Sequence, residues 1–164
     1  MSAEPRSRRS PRSLGREWAF LFLYQQDAAG FSDDVEDQLK LFWSQIRGET
    51  RPTSEAKIGG IPDAKGLAEG APFAETLIRQ ALQVRDEIDE SISAASENWT
   101  LSRMSAIDRN ILRIGAVEIR LASAPAAVII DEAIDLAKTF GEADSYKFIN
   151  GILDRLSKGK KDPA

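Results

Sequence analysis

Residues 144–148, Asp-Ser-Tyr-Lys-Phe, place a lysine between two aromatic residues at the expected start of a helix. The chemistry open to such a group is non-covalent. An aromatic at the edge of a core can stack on a splayed nucleobase while the neighbouring cation meets a phosphate. At about 100° per residue, Lys147 points away from the apolar stripe begun by Ile149, and Phe148 lies on the flank of that stripe. The other reading of the same residues is structural, with Phe148 in the core and Lys147 simply solvated. Covalent chemistry has little to work with. The 164 residues contain no cysteine and no histidine, which excludes disulfides, a Cys/His zinc site, a cysteine nucleophile and a histidine general base.

Charge supplies a second group of candidates. Arg6, Arg8, Arg9, Arg12 and Arg16 against Glu4 give residues 1–16 a balance of +4, and Lys158, Lys160 and Lys161 against Asp162 give residues 157–164 a balance of +2. Against the total of −4, residues 17–156 carry −10. An acidic body with basic ends suits an anionic partner at the ends and a basic partner elsewhere, or two solubilising tails. No apolar run approaches the roughly 18 residues of a membrane span, so a cytoplasmic protein without membrane contact is expected.

The elements that must position these residues are helical throughout, because apolar residues recur at helix spacing and no alternating strand pattern of useful length occurs. The expected class is all-α, with a basic arm at 1–12, one helical domain at 13–156 and a basic tail at 157–164. The first helix is expected from about Ser13 to Ala28, its Trp18–Tyr24 run buried on more than one face. A second follows Ser32 as N-cap, with Val35, Leu39, Phe42 and Ile46 as its stripe. Gly48, Gly59, Gly60, Gly66 and Gly70 with Pro52, Pro62 and Pro72 make 48–72 read as a surface loop. A long helix is then expected from Pro72 at N1, carrying Phe73, Leu77, Ala81, Val84, Ile88 and Ile92. After Trp99 come a helix bearing Ile107, Ile111 and Ile114, another after Pro125 that ends at Gly141, and a last one capped by Asp144. Gly115, inside a helix, suggests close approach by a neighbour.

Residues 107–156, opening with "IDRNILRIG", continuing through "AVIIDEAIDLAKTFG" and closing with "DSYKFINGILD", resemble the NusB family of bacterial transcription antitermination proteins. "REWAFLFLYQQD" at 16–27 is similar to the opening of that family's first helix. The resemblance implies a compact bundle of about seven helices in two subdomains sharing a core. It implies no enzymatic activity and no cofactor or metal. The function implied is binding of boxA-type leader RNA together with ribosomal protein S10 (NusE), with other Nus factors and RNA polymerase engaged indirectly, in support of ribosomal RNA transcription.

Carried over by position, the resemblance makes Arg9, Arg12, Arg16, Tyr24, Lys147 and Phe148 the RNA-contact candidates and Asp108 and Asp144 the candidates facing the ribosomal protein. Asp144 is also an N-cap, and Asp108 can instead form a local ion pair with Arg109 or Arg113. The 48–72 segment is longer than the connection usual in the family. A protein-binding paralogue with weakened RNA binding, or a domain related to the one fused to RNA cytosine methyltransferases, fits many of the same residues. Monomer and homodimer both remain open.

Overall fold

A computed structural model describes residues 10–49, 64–97 and 99–159. Among these residues the chain forms seven α-helices and one 3-10 turn: α1 (Pro11–Ala28), α2 (Val35–Ile46), α3 (Ala64–Gln83), α4 (Arg85–Ala95), the turn Leu101–Arg103, α5 (Ala106–Leu121), α6 (Ala126–Phe140) and α7 (Ser145–Gly159). No strand occurs among the described residues. One continuous apolar core joins them, with α5 at its centre packing against α1, α3, α4, α6 and α7.

α1 begins at Pro11, two residues before the sequence-based start, because proline is well suited to the first helical position and Ser10 supplies the cap. The Ser10 hydroxyl accepts from the Ser13 N–H at 3.1 Å. Trp18, Ala19, Phe20, Phe22 and Leu23 are all buried, as expected for a helix covered on several sides. α2 docks on it through aromatic edges, Trp18 on Trp43 at 5.7 Å and Phe22 on Phe42 at 5.4 Å between ring centroids. Its N-cap position is held by Asp34 rather than Ser32, whose hydroxyl instead accepts from the Asp34 N–H.

The expected loop at 48–72 is corrected at its C-terminal end. Residues 64–72 are helical, and Pro72 lies inside α3 rather than opening it. Two facts reconcile that sequence with a helix. Pro72 and Ala68 are both exposed, so the carbonyl that loses its partner at Pro72 can face water. Gly70 is a contact residue, not a turn residue. A Cβ there would lie 2.8 Å from the Pro11 carbonyl oxygen and 2.8 Å from the Trp18 ring, and one at Gly15 would lie 2.8 Å from the Gly70 carbonyl oxygen. α1 and α3 therefore cross backbone to backbone.

The single long helix expected through Ile92 divides at Val84, and α4 starts at Arg85. No proline or glycine marks the break. The Arg85 guanidinium lies 3.8 Å over the ring of Phe31, a residue held at φ +57 after the end of α1. Such a contact cannot be read from local sequence. Gly115 behaves as expected: a Cβ there would lie 2.8 Å from the Leu153 side chain of α7. Gly141 ends α6 with extended backbone, and its missing Cβ leaves room for the Ala137 carbonyl and the Ser145 side chain at 2.8 and 2.9 Å. The α6–α7 turn is tight for that reason.

Candidate nucleic-acid and partner interface

α7 brings its first-turn residues to the surface beside that turn. The Asp144 carbonyl accepts from the Lys147 and Phe148 N–H groups, and the Ser145 hydroxyl accepts from the Glu142 N–H at 3.1 Å. The Lys147 ammonium is exposed, 3.9 Å from the Asp144 carboxylate. Phe148 is half-buried and turns the other way, meeting Trp99 edge-on at 5.5 Å. Trp99 itself is 47% exposed, large for an apolar ring with a packing partner.

Phe148 and Trp99 wall an open cleft of about 430 Å³ that also takes in Arg103, Met104, Ser105, Asp108, Glu142 and Asp144. Three carboxylates against one guanidinium make it acidic. Asp108 sits in the first turn of α5, where its own N–H donates to the Ser105 hydroxyl at 3.0 Å. One oxygen of its carboxylate is buried and has no hydrogen-bond partner among the described residues. Burying a carboxylate oxygen unsatisfied is costly, and a donor supplied from outside would remove that cost.

The ion pairs that could have occupied Asp108 are absent because both neighbouring arginines are engaged elsewhere. Arg109 and Arg113 converge with Asn110 on Asp27 of α1, and Arg113 reaches on to Asp89 of α4 at 2.9 Å. Burial alone would push the Asp27 carboxyl up. The hydrogen bonds from Arg109 and Asn110, with the charges of Arg109 and Arg113, outweigh it and hold that carboxyl below its ordinary value. Arg109 is correspondingly raised, first by its hydrogen bond to Asp27. This network fixes the end of α1 against the start of α5, and so fixes the floor from which Asp108 projects.

The α1 candidates separate. Arg9 lies outside the described residues. Arg12 is exposed, its guanidinium 4.7 Å from the centre of the Phe73 ring and donating to the Ser123 carbonyl at 2.9 Å. Arg16 is 3% exposed, and its Nε donates to Glu118 at 2.8 Å with Glu132 3.6 Å away. Its charge is neutralised inside the bundle, under Arg12. Tyr24 is 37% exposed and lies on Phe20, which in turn contacts Phe140 at the end of α6. α1 and α6 thus run side by side in the same direction. Arg12 lies near the start of α6, and Tyr24 lies near its end, where α7 begins. A 15-residue helix separates the two by about 20 Å.

Phe148, Asp108 and Asp144 are therefore brought together in one cleft, with Lys147 just outside it beside Asp144, whereas Arg12 lies apart from them along α1. Sequence reading passed over Trp99 and Arg103, which wall the cleft, and Asp27, which organises its floor. Trp99 stood out only as a helix boundary. Among the described residues no group of acidic side chains is arranged to hold a metal ion, and no helix is long and apolar enough to cross a membrane.

The family model described as the NusB family matches residues 14–158. The transcription antitermination protein NusB of Geobacter sulfurreducens is 39% identical over 152 residues, covering 92% of this chain and 96% of that protein. The protein of the same name from Anaeromyxobacter dehalogenans strain 2CP-1 is 37% identical over 150 residues, covering 92% of each. Among solved structures, T. maritima NusB superposes with a TM-score of 0.70 at 31% identity, over 94% of this chain and 95% of that one. A structure of antitermination factors NusB and NusE in complex with dsRNA shares the fold, with a TM-score of 0.68 at 23% identity over 91% and 97% of the two chains. With a family model spanning nearly the whole chain and relatives this similar at full length, the chain belongs to the NusB family.

Proposed function

We propose that this chain is a cytoplasmic, non-enzymatic transcription antitermination factor that binds boxA-type leader RNA jointly with ribosomal protein S10 (NusE). Family membership supports the reading, and so do the names of its relatives, transcription antitermination proteins. The observation that carries the joint binding is the cleft between Trp99, Phe148 and Asp108, in which a base-stacking candidate and an unsatisfied carboxylate share one surface. A basic side chain or backbone N–H of S10 satisfies Asp108, with Asp144 and Glu142 adding attraction at the rim. RNA passes over Lys147 and Phe148 and extends along α1 past Tyr24 to Arg12, which meets a phosphate. Arg16 serves this surface from beneath, by holding α1 on α5 and α6. Other Nus factors and RNA polymerase are engaged through the RNA and S10 complex.

Fluorescence anisotropy with a labelled boxA-type RNA, with and without S10, tests the reading. Tighter binding in the presence of S10 is expected, with loss of that gain for Asp108→Lys. The buried state of Arg16 and the acidic body favour one second reading, a paralogue that keeps only the protein partner. S10 binding with no RNA affinity in any combination would establish that reading and remove the first.

A further inference from the structure

Beyond Lys147 and Phe148, the α6–α7 turn carries a second cation that the sequence did not single out. The Lys138 ammonium, from the last turn of α6, lies 5.4 Å from the centre of the Tyr146 ring, and the Lys147 ammonium lies 5.8 Å from the same ring. Two like charges are therefore gathered around one aromatic. The ring is half-buried against the core, so it is a fixed mount, and the tight turn at Gly141 fixes the helix ends that carry the lysines. Among the described residues no carboxylate forms an ion pair with Lys138, and the only one near Lys147 is Asp144, at 3.9 Å and highly exposed. Tyr24 stands on the same side of the bundle, through its contact with Phe20 and the contact of Phe20 with Phe140.

We infer that Lys138 is a further RNA-contact residue, and that Tyr146 is a positioning residue which holds Lys138 and Lys147 as paired contacts to the sugar-phosphate backbone of a single strand. The face carries its own reasons for that assignment. Cation–π attraction orients both ammonium groups without neutralising them, whereas carboxylate partners would have done both. Their separation cannot exceed about 11 Å, the sum of the two distances to the shared ring centre, so both meet one short stretch of backbone. Phe148, on the other flank of the helix, keeps the base while this side keeps the phosphates. The inference rests on the RNA-binding function proposed above.

The test is a salt titration of RNA affinity using the full chain with S10 and a boxA-type RNA. Lys138→Ala, Lys147→Ala and Tyr146→Leu are compared with Lys158→Ala, which removes the same charge from the far end of α7, where Lys158 pairs with Asp154. Removing one cation that meets a phosphate of a single strand lowers the slope of log affinity against log salt by about 0.7. Lys138→Ala is expected to show that decrease, with several-fold weaker binding near physiological salt and an unchanged melting temperature. Lys138→Arg is expected to restore the slope, and Tyr146→Leu to reduce it in part while leaving every charge in place. If Lys138→Ala changes no more than Lys158→Ala while Lys147→Ala shows the lower slope, this inference falls and the proposed function stands. If the unaltered complex binds no RNA, both fall.

Discussion

Asp27→Asn removes the α1 charge on which three side chains of α5 converge. The carboxylate accepts from Arg109 through two nitrogens, from Asn110 at 2.8 Å and from Arg113 at 3.0 Å. An asparagine keeps one oxygen and turns an amide N–H₂ toward guanidinium donors, so at least one guanidinium N–H loses its acceptor and both arginines lose the counter-charge. Removing one member of a buried ion pair costs about 3 to 5 kcal/mol. The lower end applies here, because Arg113 keeps Asp89 and Arg109 is partly exposed. With a urea m-value of about 2 kcal/mol/M, a loss of about 3 kcal/mol moves the unfolding midpoint down by about 1.5 M. The pH dependence follows from the lowered carboxyl. Asp27 contributes its full stability above its unfolded value, near 3.8, and loses it as pH falls through the lower folded value. Urea unfolding followed by circular dichroism at neutral and acid pH should therefore show the two proteins converging in stability as Asp27 of the unaltered protein is protonated. A variant within 0.5 kcal/mol of the parent at neutral pH, or a gap that widens in acid, would refute the assignment of this network as the tie between α1 and α5.

Gly70→Ala should lower the melting temperature by several degrees, since its Cβ meets the Pro11 backbone carbonyl at 2.8 Å and a carbonyl cannot rotate aside; calorimetry decides it. Arg16→Ala and Arg12→Ala should divide stability from binding. The first leaves Glu118 buried without its counter-ion, held only by the Ser123 hydroxyl, a loss of about 3 kcal/mol in chemical unfolding. The second costs only about 1 kcal/mol, from its contacts with Phe73 and the Ser123 carbonyl, and weakens RNA binding in anisotropy. Phe148→Ala should cost roughly 1 to 3 kcal/mol in RNA binding with little change in salt dependence. Its loss of thermal stability should stay below that of a fully buried phenylalanine, because the ring packs on the half-exposed Trp99.

Helix content was legible because it depends on apolar spacing, a local property that the folded chain preserves in nearly every element. Gly115 could be interpreted from its position alone, since a glycine that keeps a helical pattern on both sides has few reasons to be there except proximity. Gly70 could not. Surrounded by glycines and prolines, it carried the signature of a loop, and only the presence of α1 shows that the missing side chain belongs to a helix crossing. Arg16 was misleading for a similar reason: it follows a basic arm, but the partner that buries it, Glu118, is distant in sequence. Phe148 and Asp144 stand out from helix spacing and capping, Asp108 only through motif resemblance, and the three do meet in one cleft. The unsatisfied oxygen of Asp108 follows from where Arg109 and Arg113 turn, and no spacing rule encodes that choice.

The crossing of α1 and α3 at Gly15 and Gly70 also bears on how this chain can diverge. Each glycine admits the backbone of the opposing helix, so a side chain gained at one position requires the helices to separate, and the need for glycine at the other then lapses. Substitution at the two positions is therefore expected to be correlated across relatives, with both small or both enlarged and mixed pairs rare. The pair is then inherited as a unit, a historical marker for which relatives retain this mode of packing.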